Sequence, residues 1–518
     1  MLKPLTKSHI AKYGAIENGI LQTQNMTTAI TPPDLVKYCK RSFRGIFLYT
    51  FDNDYFDFFT NNRIEYKNIT IKTIYGGTAI MAVKIISGQN ILTLVNAAFM
   101  FPVKPDNLYN ALFYLYNKLG KGILPSYTPA TFALRLWRFK FQKETLRGIN
   151  SRIDDFVRTA YAGGRSEIIS KKLDKGYYYD INSMYGAMML KDMPTGRVIY
   201  TETRTKDLIG FYQCEIDQRN INLPPLWQKI HNDNKSKDML CFPADKFTGI
   251  FSGNEIDMAI EAGAEIKILN GIEWESKSPV FKEFIEYIYK LKEQTKYKWF
   301  DAFLKKVMVS FYGKFAENKD KYQDIFQCGD VKNYYKEIDN GAKLIDEHNL
   351  TIAKNKEKKV KYNKNSYNLP HFSAYISALG REEIYKTAIK LKSVAYIETD
   401  AIFTAQILPI GNGLGEWKLV GEVQNAEFVQ SKTYSYEMDN QRHYVAAGIP
   451  ETVNKAAYFK GESVKFYKKQ KFVSEKREYN VKMKDTQFIK RDIKDNFSMP
   501  LSVSEILQRM QLNNAFSP

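Results

Sequence analysis

Cysteine and histidine are scarce in this 518-residue chain, four of the one and five of the other. Cys39, Cys214, Cys241 and Cys328 are widely separated and form no CxxC pair. That spacing argues against a structural zinc site and against a disulfide framework. Long apolar runs are missing too. The longest, around Ile91–Val103, is shorter than a membrane span and contains Asn96. Lys3, Lys7, Lys12 and Glu17 interrupt the opening residues where a secretory signal would need an unbroken hydrophobic segment. With no low-complexity tract either, the expectation is a chain that folds throughout, in a reducing intracellular compartment and without a membrane.

What is present is charge of one sign. Lys and Arg number 76 against 57 Asp and Glu, a formal net charge of +19 spread along the sequence. A polyanionic partner follows, nucleic acid first, because each neutralised phosphate releases counterions. An anionic membrane surface would attract the same charge. The 44% hydrophobic and 14% aromatic content supports packed cores, and the length implies roughly three domains.

Short alternating apolar runs at Ile46–Phe51, Ile69–Ile74 and Ala79–Ile86 predict a sheet-rich region. Apolar positions three and four apart in Leu108–Leu119 and Phe132–Phe141 then predict helices, and a boundary falls near Tyr161, before the turn Gly163-Gly164. A strand at Tyr177–Ile181 follows. One or two helices are expected over Val280–Phe315, and another over Ala374–Leu391 leading into strands Val394–Ile397 and Ala401–Ala405. Residues 319–368 are polar and weakly periodic, either a hairpin insertion or a mobile loop. From about Asn454 onward aromatics alternate with Lys and Arg.

Asp180 closes the strand Tyr177–Ile181, and Asp400 lies in the turn between the next two predicted strands. If those strands are neighbours, both carboxylates meet at one sheet edge, where divalent cations rather than protons relieve their repulsion. Nucleotidyl transfer by two cations about 4 Å apart needs such a pair.

The residues around these acids resemble motifs of family B DNA polymerases, in the family's order. Asp180-Ile181-Asn182-Ser183-Met184-Tyr185 resembles motif A, DxxSLYP, with Gly186 in place of proline. Lys305 to Gly313 resembles motif B, KxxxNSxYG, with Val309 in place of asparagine. Tyr396-Ile397-Glu398-Thr399-Asp400-Ala401 resembles motif C, YxDTDS, with Glu398 and Ala401 replacing an aspartate and a serine. Tyr161-Ala162-Gly163-Gly164 resembles the template-holding YxGG loop, Lys432-Thr433-Tyr434 the primer-end KxY element, and Leu414–Trp417 precedes it as in the protein-primed branch of phages and linear plasmids. Independently of the family, helical spacing puts Lys305, Val309 and Tyr312 on one face and turns Phe303, Val307 and Phe311 elsewhere.

The resemblance implies an α+β right-hand polymerase of palm, fingers and thumb. A degenerate exonuclease-like (RNase H-like) domain would occupy residues 1–160, palm and fingers 161–450, and the thumb 451–518. It implies two Mg²⁺ or Mn²⁺ ions on Asp180 and Asp400, with Glu398 a further ligand candidate, and Asp180, Asp400 and Lys305 as catalytic residues. Ile181, Ser183, Tyr185, Lys305 and Tyr312 would bind the deoxynucleotide, Tyr185 as steric gate, with Lys292 a further phosphate contact. Tyr161, Gly163, Gly164, Ser310, Gly313, Thr399, Lys432 and Tyr434 would bind DNA. The implied partners are template and primer DNA, dNTPs and a terminal protein primer, for a monomer in the cytoplasm, the host's if the chain is viral. No DxE begins the front domain, and only Asp57 in Tyr49–Asp57 resembles a later exonuclease acid, with no partner evident around Asp106. Loss of proofreading is therefore expected. Glu398, Val309 and that front domain keep a second reading open, a catalytically decayed DNA-binding replication scaffold; template-independent addition is a third.

Overall fold

A computed structural model describes residues 12–41, 45–61, 69–76, 79–231, 238–317, 323–327, 331–340, 343–346, 351–355, 368–469, 476–481, 490–494 and 497–515. The chain forms two compact units. Residues 1–145, 286–367 and 467–479 make the first, and 146–285, 368–466 and 480–518 the second.

The first unit is built on a seven-stranded sheet. Across it run Thr27–Ala29, Ile20–Thr23, Tyr13–Glu17, Ile46–Thr50, Asn90–Asn96, Ala79–Ser87 and Ile69–Gly76. Tyr13–Glu17, Ile46–Thr50 and Asn90–Asn96 are mutually parallel, while the flanking strands pair antiparallel. Three antiparallel strands continued by parallel ones on the far side of the first is the RNase H-like order. Helices Pro32–Arg41 and Asp54–Asn61 bury Leu35, Val36, Cys39, Phe56 and Phe59 against Leu48, Val83, Leu92 and Leu94. Elsewhere in the unit Tyr49 donates to the Ser126 carbonyl (2.7 Å) and meets the Tyr116 hydroxyl at 3.0 Å.

The predicted helical stretch is two helices, Lys282–Gln294 and Lys298–Phe311, the latter followed by a 3-10 turn Tyr312–Ala316. Phe303, Val307 and Phe311 are buried, and Phe303 and Phe311 set their rings 5.3 Å from Phe132 and 5.8 Å from Trp137. Within 319–368 the described residues form strands Gln323–Gln327, Thr351–Asn355 and Lys343–Asp346, paired in that order, and a helix Val331–Asp339. The rest of that stretch, Cys328 included, lies outside the described residues.

The second unit holds another seven-stranded sheet, antiparallel throughout. Its order is Gln441–Ala446, Thr433–Met438, Trp417–Gln430, Lys172–Ile181, Ala401–Thr404, Val394–Glu398, Ser166–Ile168. Gly176 is required in its central strand, since a β-carbon there would lie 2.5 Å from the Thr404 carbonyl oxygen. Helix Pro370–Ala388 starts with proline in its first turn and is buried on nearly every side, from His371 to Ala388. A four-stranded sheet, Met193–Thr201, Glu265–Ser278, Gly210–Asp217 and Lys246–Ser252, completes the unit together with a C-terminal hairpin, Arg491–Lys494 with Phe497–Pro500, and helix Val503–Ala515. Among the described residues no helix is long and apolar enough to cross a membrane. Cys39, Cys214 and Cys241 are free thiols, and burial pushes each one's pKa up.

Candidate active site

The second unit brings Asp180 and Asp400 together. Strand Lys172–Ile181 pairs with Ala401–Thr404 so that Asp180 faces Ala401, and the Ile181 amide donates to the Asp400 carbonyl (2.8 Å). On the other side Asp180 lies opposite Lys418, a directly cross-strand position that shares its face of the sheet. Tyr178, two residues before Asp180, stacks on Phe403 with ring centres 4.3 Å apart. Burial, then the charge of Asp180, the neighbouring Tyr436, and the charges of Asp400 and Glu398 push its phenol up to about 12. One ring thus senses all three acids.

The backbone around these acids is held in left-handed conformations that ordinary residues avoid. Positive φ outside glycine occurs at Asn18, Ser183, Thr399, Asn425, Lys432, Asp439 and Asn440 among the described residues. Four of these are Asn or Asp, for which the region is tolerable. The other three fall in the three elements expected at this site: Ser183 after Asp180, Thr399 before Asp400, and Lys432. Each such residue costs on the order of 1–3 kcal/mol and persists where its surroundings over-determine it. Thr399 donates its amide to the Arg165 carbonyl (2.7 Å), and its methyl would lie 2.7 Å from a β-carbon on Gly164. The Tyr185 ring fits between two glycines, since a β-carbon on Gly164 would meet its hydroxyl at 3.1 Å and one on Gly380 its ring at 3.2 Å. Asn182 is latched to the loop before Trp417: its amide donates to the Glu416 carbonyl (3.0 Å), and its own carbonyl accepts from Gly415 (2.8 Å).

Glu398 looks to its own strand. Its carboxylate accepts from the Tyr396 hydroxyl and lies 3.5 Å from the Lys432 ammonium. The same hydroxyl accepts from the Lys432 amide (2.8 Å) and meets Ser166 Oγ at 3.2 Å. Burial and then Glu398 raise the Tyr396 phenol. Tyr434 is buried, its ring 5.2 Å from Tyr396 and 5.4 Å from Phe403, and its phenol too is raised, chiefly by burial.

Beneath this surface lies a fully buried ion triad. Arg165 pairs with Glu167 (Nε, 2.9 Å), and Arg491 of the C-terminal hairpin reaches the other Glu167 oxygen (3.2 Å). Burial alone would raise Glu167; Arg165 and Arg491 outweigh it and hold the carboxyl below its usual range. Glu167 sits on the edge strand that pairs with Glu398 and its neighbours. These positions, together with Gly380, Arg381 and Lys418, were not reached from the sequence. Gly380-Arg381 carried a signal, because a glycine inside a helix costs about 1 kcal/mol against alanine and marks a close approach.

Lys292, Lys305, Ser310, Tyr312 and Gly313 belong to the first unit. Lys305 and Val309 are exposed opposite the buried phenylalanines, as the helical spacing predicts. Lys292 lies 3.6 Å from Asp301, and Ser310 donates to the Lys306 carbonyl (2.6 Å). In the front sheet Glu17, at the end of the Tyr13–Glu17 strand, accepts from the Leu108 amide (3.0 Å) at the start of helix Leu108–Phe113. Asp57 is half-buried in the first turn of helix Asp54–Asn61.

Among the described residues no group of three or more His, Cys, Asp or Glu converges. Asp180 and Asp400 place oxygen donors on abutting strand ends, while Glu398 is engaged by Tyr396 and Lys432. Such a pair fits Mg²⁺ or Mn²⁺ whose remaining ligands come from substrate phosphates and water.

A mixed α+β right-hand polymerase fold is what these two sheets and their helices define. Residues 107–407 match the family described as DNA polymerase type B, organellar and viral, and the chain belongs to that family. It is 24% identical over 433 residues to a probable DNA polymerase of Podospora anserina, covering 76% of this chain and 34% of that protein. To one of Agaricus bitorquis it is 25% identical over 368 residues, 62% of this chain and 45% of that one. The chain thus spans about a third to a half of the length of these relatives. Among solved structures, phi29 DNA polymerase complexed with primer-template DNA and incoming nucleotide superposes with a TM-score of 0.67 at 15% identity, over 89% of this chain and 96% of that one.

Proposed function

We propose that the chain is a template-directed DNA polymerase that transfers deoxynucleotides to a primer, using Asp180 and Asp400 to hold two divalent cations. The observation that supports this reading is the pairing of the strands that carry these acids, which sets Asp180 opposite Ala401 and bonds the Ile181 amide to the Asp400 carbonyl, beside backbone held in unusual conformations at Ser183 and Thr399. When bound, the cations would neutralise the triphosphate and activate the primer's oxygen. The chain's own residues position the reactants. Ile181 and Ser183 bind the triphosphate, and the motif that Lys305 and Tyr312 match, with Lys292 ahead of it, assigns these residues to the nucleotide as well. Tyr185, wedged between Gly164 and Gly380, is too constrained to swing aside for a 2′-hydroxyl. Tyr161, Gly163, Gly164, Ser310, Gly313, Thr399, Lys432 and Tyr434 line the DNA, Lys432 with its ammonium steered by Glu398. The front 160 residues act as a scaffold without proofreading, residues 161–450 as palm and fingers and 451–518 as thumb. The enzyme works as a monomer with a terminal protein's hydroxyl as primer.

Extension of a labelled primer-template with Mg²⁺ or Mn²⁺ tests this. Wild type should extend only when template is present, and Asp400→Asn should abolish extension while still binding DNA. The engagement of Glu398 by Tyr396 and Lys432 favours one other reading, a decayed DNA-binding scaffold. Wild type that binds DNA but extends neither a DNA nor a protein primer would decide for the scaffold.

A further inference from the structure

One extra residue decides which side chain of strand Trp417–Gln430 stands beside Asp180. Side chains alternate between the two faces of a strand, and a slip of one residue exchanges them. Gly421 and Val423 pair with Tyr178 and Gly176, and Val423 is buried with Tyr178 in the aromatic core on Asp180's face of the sheet. Continued unbroken, that alternation would bring Leu419 to this face and send Lys418 to the other. The pairing instead shifts between Leu419 and Gly421, with Val420 as the extra residue. Beyond the shift Leu419 lies opposite Tyr179, Lys418 opposite Asp180 and Trp417 opposite Ile181. Tyr179 and Ile181 are each 1% exposed, whereas Lys418 is exposed. The bulge thus puts an ammonium in place of an apolar side chain beside Asp180, whose other flank carries only the methyl of Ala401.

The register is held from the near end too. The Asn182 amide donates to the Glu416 carbonyl (3.0 Å), and the Gly411 amide to that of Trp417 (2.8 Å). Directly cross-strand residues have β-carbons about 5 Å apart, and a lysine ammonium rides on a flexible four-carbon stem. Carboxylate and phosphate oxygens that share one small divalent cation come within about 4 Å of each other. A phosphate held through Asp180 is therefore inside the range of Lys418. Glu398, by contrast, already has the Lys432 ammonium 3.5 Å away.

We propose that Lys418 is a further substrate-binding residue: its ammonium offsets the charge of Asp180 before substrate arrives, then holds the polyphosphate that Asp180 receives together with its cation. The inference rests on the polymerase reading and adds to it a phosphate contact supplied by the sheet itself. A backbone phosphodiester presents the same oxyanion, but a polyphosphate chelates a cation and so is the form held nearest Asp180. The bulge at Val420 is the device that aims the contact.

The full chain tests this with Lys418→Met, which keeps the apolar stem, and Lys418→Arg, which keeps the charge. Mn²⁺ binding without DNA or nucleotide, read from the EPR signal of the free ion, should tighten about fivefold in Lys418→Met as a repelling charge is removed. Inorganic pyrophosphate, titrated calorimetrically in saturating Mn²⁺, should bind about tenfold more weakly, the worth of one charge-assisted contact. In primer extension the KM for dNTP should rise by a similar factor while that for DNA stays put. Lys418→Arg should restore all three. A lysine that serves only the sheet would move the urea midpoint and none of these. Unchanged affinities for Mn²⁺ and pyrophosphate in Lys418→Met, or a rise confined to the KM for DNA, would overturn the proposal. Wild type that extends no primer would instead remove the polymerase reading, and the two titrations, which need no turnover, would still decide on Lys418.

Discussion

Gly163 and Gly164 are adjacent residues with opposite surroundings. A methyl on Gly163 enters open space, whereas one on Gly164 would meet the Thr399 methyl at 2.7 Å, the Thr399 Cα at 3.2 Å and the Tyr185 hydroxyl at 3.1 Å. The Thr399 backbone is pinned by its bond to the Arg165 carbonyl and cannot easily retreat. Gly163→Ala should therefore unfold in urea within about 0.5 kcal/mol of wild type. Gly164→Ala should be less stable by about 1–3 kcal/mol, the usual cost of overpacking, and should lose primer extension through displacement of Thr399 and Tyr185. Equal stability of the two variants would remove Gly164 as the contact between the turn and the two aspartate-bearing segments.

At the scale of single elements, helix Pro370–Ala388 shows what burial does to a titratable group. His371 in its first turn is 2% exposed and stacks on Trp274 with centres 4.7 Å apart. Burial depresses its imidazole from 6.5 to about 3. The unfolded chain therefore binds this proton at a higher pH than the folded one. The group's contribution to stability is complete above about pH 6.5 and is lost as the pH falls from there towards 3, by up to about 1.4 kcal/mol per unit. Urea midpoints measured at pH 7.5 and 5.0 should fall less in His371→Phe than in wild type. An identical fall in both would show that His371 does not carry the acid sensitivity. The same helix explains what the sequence could convey. Its place was legible because it leads into the apolar strand before Asp400, but its first residues were not, since an enclosed helix has no polar stripe to mark its extent. Strands Tyr13–Glu17, Ile20–Thr23 and Thr27–Ala29 escaped notice because runs of three to five residues give alternation too little length to register. Asp180 and Asp400 could be paired from sequence because each closes an apolar strand. Arg165, Glu167 and Arg491 could not, because nothing local distinguishes a buried charge from a solvated one.

On the scale of the whole molecule, the net charge of +19 suits a polyanion, yet some of its cations are committed to architecture. Arg491 is one, 1% exposed and bonded to Glu167, to the Asn222 carbonyl (2.8 Å) and to Ser498 Oγ (2.7 Å). Breaking a buried pair leaves an uncompensated charge, so Arg491→Met should lower the stability of the second unit by about 3 kcal/mol. Chemical denaturation followed by tryptophan fluorescence reads this, since Trp227 and Trp274 are buried in that unit. A midpoint unchanged from wild type would mean that Arg165 alone satisfies Glu167.

Glu167 and Arg491 are 324 residues apart in the chain. On a ribosome adding roughly 5–20 residues per second, the edge strand beside the paired aspartates waits on the order of 15 to 65 seconds for its second arginine. Through that interval the nascent second unit holds a carboxylate with half its counter-charge and a sheet edge without its covering hairpin. A hairpin translated some 324 residues after Glu167 thus completes the support of the site, and termination ahead of Arg491 would strip that support from a site whose acids had all been made.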